Sequence, residues 1–193
     1  MKYPSLRTIH LLCGLFSLPA LVMYGVSAVQ MAHSKWFDLK PAVEQTTAQI
    51  ARDQTDGRAV AREVMAARGL RGEINSIQAT PAGFSVRISV PGTVHELRYD
   101  RATGGVAVKT SRAPVMGMLN RLHHAAGFWH DYGPLRLWAA LVAGVSAAAL
   151  GLGITGLWMW WMRRQDRAAG IVLLAVNVLF AVIVLWRLRA AGP

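Results

Sequence analysis

Six histidines occur in this 193-residue chain, and five stand near the ends of long apolar stretches. His10 opens the first stretch, His33 follows its end, and His123, His124 and His130 come shortly before the second. Imidazole titrates near neutrality and is the side chain most used to hold iron, zinc or haem. Histidines gathered at a membrane boundary therefore point to a ligand or proton-handling site. The plainer alternative is that histidine, being amphipathic, sits at an interface without binding anything.

A six-coordinate b-type haem needs two imidazoles on one iron, normally from different segments. His33 with one of His123, His124 or His130 meets that condition, because both segments abut the same expected membrane face, and His33 with His123 is the pair favoured here. Pro114 to His130 reads as an amphipathic interfacial helix with Val115, Met118, Leu119, Leu122 and Ala126 on one side. On it His123 and His130 share a face about 10 Å apart, so one would be a ligand and the other a neighbour, while His124 turns about 100° away. His10 and His33 are separated by about 35 Å of helix and cannot share a cofactor. A cofactor at His10 would need another subunit, such as a symmetric copy offering its own His10. His95 shares strand parity with Leu97 and Tyr99 and reads as structural. The chain contains no Cys-x-x-Cys, His-Glu-x-x-His, nucleophile elbow or phosphate loop, so the sequence nominates no catalytic residue.

The elements that must hold these histidines are mostly apolar. No charge interrupts the chain between Arg7 and Lys35, from Leu137 to Met162, or from Ala168 to Trp186. A bilayer-crossing helix needs about 20 such residues, so three spans are expected. Lys2, Arg7 and the small residues Val26-Ser27-Ala28 also fit a cleavable secretory signal. The apolar run exceeds the roughly 7–15 residues of a signal core, which favours an uncleaved anchor. Pro19 falls inside the first span, where neighbouring helices satisfy the carbonyl it frees.

Three arginines among Arg163-Arg164-Gln165-Asp166-Arg167, with Lys2 and Arg7, place these flanks in the cytoplasm; Arg187 and Arg189 after the third span argue the other way. The formal charge is +11. Residues 33–136 carry 14 Lys and Arg against 9 Asp and Glu, a net +5, and the rest flanks the spans. With no recognition motif or aromatic and basic stripe, this charge fits anionic lipid and not nucleic acid. Cys13 is the single cysteine, which excludes an intrachain disulfide. Gly144, Ala148, Gly151, Gly153 and Gly156 permit close helix approach in the second span. Asn177, polar in mid-span, should find an interhelical hydrogen bond.

About 100 residues between the first two spans suffice for one small domain. Pro41 to Asp53, and then Ala59, Val60, Val64 and Ala67 up to Gly69, read as one or two helices. Ile74 and Ile77 open a weak strand, and Phe84, Val86, Ile88 and Val90 alternate with polar residues as in a half-buried strand. Pro91-Gly92 turns the chain, Leu97 and Tyr99 lie on the next strand, and a turn from Asp100 to Gly105 leads to Val106 and Val108. The sum is an α+β module with a helix over one face of an antiparallel sheet.

The run "GFSVRISVPGTVHELRYDRATGGVAVKTSR" after an Ala-rich helix resembles the PepSY module, whose recurrent mark is an Asp-x-x-Thr-Gly turn, matched here by Asp100, Thr103 and Gly104. "LRTIHLLCGLFSLPALVMYGVSA", "RLHHAAGFWHDYG" and "GLGITGLWMWWMRR" are similar to the opening and later stretches of PepSY-associated transmembrane proteins. The expected fold class is thus membrane α-helical, with three transmembrane helices and an inserted α+β PepSY-like extracytoplasmic domain, a helix plus an antiparallel β meander. The parts expected are a span over 8–32, the domain over 33–113, an amphipathic interfacial segment over 114–134, and spans over 135–162 and 168–187.

The resemblance implies a multi-pass protein of the bacterial inner membrane with its soluble domain in the periplasm. Some membrane relatives are similar to ferric-siderophore reductases, which implies haem b and a redox role in iron uptake, with His33, His123, His124, His130 and His10 as the cofactor-binding residues. This chain is shorter than those reductases and has fewer intramembrane histidines. The alternatives are a noncatalytic interaction or inhibitory module acting on an envelope partner, and a metal-handling accessory using the same histidines. Expected partners are the lipid bilayer and a second copy or another membrane subunit.

Overall fold

The computed structural model describes residues 3–125 and 127–190; Lys2 of the basic flank and Ala126 of the amphipathic pattern lie outside them. Two compact units divide the chain, one formed by the residues through Leu18 with those from Val145 onward, the other by Pro19–Gly144.

Three helices are long and apolar enough to cross a membrane: α1 (Tyr3–Ala32), α4 (Gly133–Met162) and α5 (Arg167–Ala190). Between α1 and α4 come β1 (Ala42–Gln49), α2 (Gly57–Arg68), β2 (Glu73–Thr80), β3 (Gly83–Val90), β4 (Thr93–Asp100), β5 (Gly105–Arg112) and α3 (Val115–His124). A helix satisfies its backbone polar groups within the segment, which suits these long apolar runs to hydrocarbon. α1 continues through Pro19.

In the first unit, Leu6 and Ser17 are buried while Leu11, Leu12, Leu15, Phe16 and Leu18 are exposed, so α1 has one inner stripe and a broad apolar outer surface. Small residues set the approach of α4: a Cβ added at Gly14 would lie 3.6 Å from Leu152, and one at Gly151 would lie 3.3 Å from Cys13 Sγ. Gly153, counted with this face from its spacing, meets open space instead. At the turn into α5, Arg167 Nε donates to the Trp161 carbonyl and Trp160 Nε1 to that of Asp166. α5 buries no residue, and Asn177 is exposed, without the interhelical hydrogen bond its position predicts, among the described residues. At its start α5 lies against α4, where a Cβ added at Gly170 would meet the Trp160 ring.

In the second unit the five strands form one antiparallel sheet in the order β1-β5-β4-β3-β2. β1 corrects the helix expected from Pro41 to Asp53: an edge strand exposed along nearly its whole length shows no inside-outside alternation, and pairing with β5 decides its conformation. α2 starts where Asp56 accepts the Arg58 N–H at 2.8 Å and stops at Gly69, whose φ of 64° is left-handed. Its Val60, Ala61 and Val64 pack on Val86, Ile88, Leu97, Tyr99, Val106 and Val108. Each buried valine contributes about 1.5 kcal/mol.

The Asp100 turn is held from within. Asp100 Oδ1 accepts the N–H of Ala102, Thr103 Oγ1 accepts that of Gly105, and Gly104 at φ 72° presents its carbonyl to Ile50 N–H. The β3–β4 turn aims the next element: Gly92, at φ 88°, accepts Ala113 N–H and lies against Met118 of α3. α3 itself ends at His124 with Ala125 as its cap, so the helix expected through His130 stops two turns short. His123 and His130 therefore share no helical face.

Candidate functional site

The structure gives each histidine its own setting. His10 is partly buried on α1, and its Nδ1 is 2.9 Å from Thr155 Oγ1 of α4. That hydroxyl donates its one proton to the Gly151 carbonyl at 2.6 Å, so the imidazole is the donor in its contact with Thr155. Gly156 makes room for the ring: a Cβ there would lie 3.4 Å from His10 Cε1.

The same arrangement recurs in the other unit. His123 Nδ1 is 2.7 Å from Ser27 Oγ, and Ser27 donates to the Tyr24 carbonyl at 3.0 Å. Tyr24 also meets the His123 ring edge to face at 4.6 Å. Tyr24, Ser27 and Gln30 recur at helical spacing on α1 and form a polar stripe. Gln30 is 1% exposed, and its Oε1 has no hydrogen-bond partner among the described residues. α3 is held there by Trp138 Nε1 of α4, which donates to the Leu122 carbonyl at 3.2 Å. His124 is exposed, its ring 5.4 Å from that of His123.

His33 is exposed just beyond α1 and stacks on Trp36 at 4.0 Å in the following 3-10 turn, Ser34–Trp36. Among the described residues its contacts and those of His123 have no side chain in common. His130 lies in the segment between α3 and α4, and its Nδ1 donates to Glu73 Oε2 at 2.7 Å. Its Nε2 is buried without a partner among the described residues. His95 is buried on β4 with Nδ1 2.9 Å from Thr110 Oγ1. Burial, and secondarily the positive charge of Arg112, hold its pKa below the usual imidazole value.

Among the described residues no three His, Cys, Asp or Glu side chains converge as a metal cage. One imidazole held at Nδ1 with Nε2 free is instead the tautomer an axial haem ligand or a single proton acceptor requires. The hydroxyls of Ser27 and Thr155 and the carboxylate of Glu73 escaped the sequence reading. Ser27 lay hidden among small residues resembling a cleavage site, and Glu73 is 57 residues from its histidine. The three- and seven-residue spacing of Ser17, Tyr24 and Ser27 was the signal that could have revealed the inner stripe of α1.

The architecture is that of a helical protein with three candidate membrane spans and an antiparallel sheet domain between the first two. Comparisons with protein families, with curated proteins and with solved structures give no match.

Proposed function

We propose that the chain is a PepSY-type protein of the bacterial inner membrane, with its sheet domain on the periplasmic side, and that it binds haem b as a redox component of iron or siderophore uptake. The observation that carries this reading is the Ser27–His123 contact, which fixes an imidazole with Nε2 available at the end of a span. His123, and His33, which is exposed and stacks on Trp36, would hold the haem iron. A bound haem would supply one-electron transfer. Ser27 orients the ring of His123, and Tyr24 walls its edge. Thr155 holds His10 in the same tautomer, so a second haem would sit where two copies bring their His10 side chains together.

Absorbance of the full-length protein, expressed with added haem precursor, tests this. A Soret band with low-spin features in the reduced spectrum is expected, weakened in His33→Ala and abolished in His123→Ala. A wild-type protein that is folded and colourless overturns it.

One observation favours a second reading, a noncatalytic module that binds an envelope partner. The sheet face carrying Gln45, Thr47, Glu96, Arg98 and Lys109 forms a groove that offers charged and amide side chains to a partner. Retention of a co-purifying partner by the His33→Ala/His123→Ala double variant, with loss in Arg98→Glu, would favour it over haem binding.

A further inference from the structure

β2 is interrupted by a bulge: Ile74 pairs with Ile88 and Ser76 with Arg87, so Asn75 has no partner of its own. Bulges re-aim side chains, and they gather beside functional sites. Here the bulge borders a cavity of about 390 Å³, lined by Glu73 and Asn75 of β2, Arg87 and Ser89 of β3, Arg121 of α3, and His130. Its apolar wall includes Val94 and Leu135, both buried.

Charge decides what this cavity suits. Glu73 is already engaged through both oxygens, by the His130 ring at 2.7 Å and by the Asp131 N–H at 3.2 Å. It therefore positions the histidine and offers little to a cation. What remains for an occupant is two guanidinium groups, beside a His130 whose Nε2 is buried and, among the described residues, without a partner. Two guanidinium groups in the lining repel a metal ion, whereas their planar donor forks match the oxygens of a phosphate group.

We propose that this cavity binds a phosphate group, with the guanidinium groups of Arg87 and Arg121 as its donors and the His130 ring, held by Glu73, in its wall. Leu135 lies in the first turn of the span α4, the depth at which hydrocarbon gives way to headgroups. That position admits the phosphodiester of an anionic lipid as well as a free phosphate anion. The proposal is independent of haem, since none of these residues touches Ser27 or His123 among the described contacts.

The test uses the full-length protein in nanodiscs of phosphatidylcholine, with and without phosphatidylglycerol, and in neutral detergent with added inorganic phosphate. The ¹⁵N signal of His130 Nε2 reports on the cavity, and native mass spectrometry reports lipid retention. Phosphatidylglycerol is expected to shift the signal and to be retained at least fivefold over phosphatidylcholine, with both effects lost in Arg87→Gln/Arg121→Gln and kept in Arg58→Gln/Arg62→Gln, which removes the same charge from α2. A shift with phosphatidylglycerol alone identifies the lipid headgroup as the source, and a shift with inorganic phosphate identifies the free anion; either supports the site. No shift with any probe, or a shift that survives loss of both lining arginines, overturns it.

Discussion

Ser27 Oγ lies 2.7 Å from Nδ1 of His123 and 3.0 Å from the carbonyl oxygen of Tyr24. One hydroxyl proton directed to the backbone leaves the imidazole as donor across 96 residues of sequence, and so a serine inside an apolar span selects which nitrogen of a distant histidine is free.

Removing that hydroxyl should loosen the ring without removing the ligand. On the proposal that His123 holds haem, Ser27→Ala is expected to lower haem affinity about 10- to 100-fold, the usual cost of losing a group that orients a ligand, and Ser27→Thr should restore most of it. Titration of the purified protein with haem, followed at the Soret band, measures the ratio.

Thr155→Val keeps the shape of the helix contact but leaves His10 Nδ1–H without its acceptor. Interhelical hydrogen bonds of this kind contribute about 0.6–2 kcal/mol in a bilayer. The variant should lose stability in that range in bicelles titrated with denaturing detergent, and Thr155→Ser should lose less.

The depressed pKa of His95 sets a direction for the sheet domain. The unfolded chain binds a proton there near pH 6.5, while the folded chain resists it. Stability is therefore intact above that value and falls as the pH drops through it. Melting of the full-length protein at pH 7.5 and pH 5 should show a smaller acid loss in His95→Gln than in wild type.

Gly104→Ala strains the turn twice. The residue sits at φ 72°, and its new Cβ would lie 2.5 Å from the Ile50 carbonyl oxygen. A cost of about 1–3 kcal/mol is expected from the backbone alone. A lower melting temperature of the β signal by circular dichroism would register it; an unchanged one would show that the turn does not hold Ile50 against the sheet.

Where the sequence was legible, one face of an element met the core and the other met water. Val86 and Ile88 alternate with exposed or half-exposed neighbours on β3, and α2 shows its apolar face between Asp56 and Gly69. β1 was illegible for the opposite reason, because its edge position exposes both faces and erases the alternation that marks a strand. The spans followed from uninterrupted apolar runs, but their inner stripes did not, since a few hydroxyls in a long apolar helix scarcely alter its composition. The settings of His123 and His130 depend on Ser27 and Glu73, contacts made across 96 and 57 residues that no local period encodes. Extending α3 to His130 also overlooked the break after His124, where the chain leaves the helix at Ala125.

The bond between His10 and Thr155 also sets a timetable for biosynthesis, because its two ends are 145 residues apart. At ribosomal speeds of about 5–20 residues per second, roughly 7 to 30 s pass between the making of one partner and the other. During that interval α1 is in the membrane with an imidazole and no acceptor from α4. Thr155→Val would extend that unpaired state from the interval of synthesis to the life of the protein.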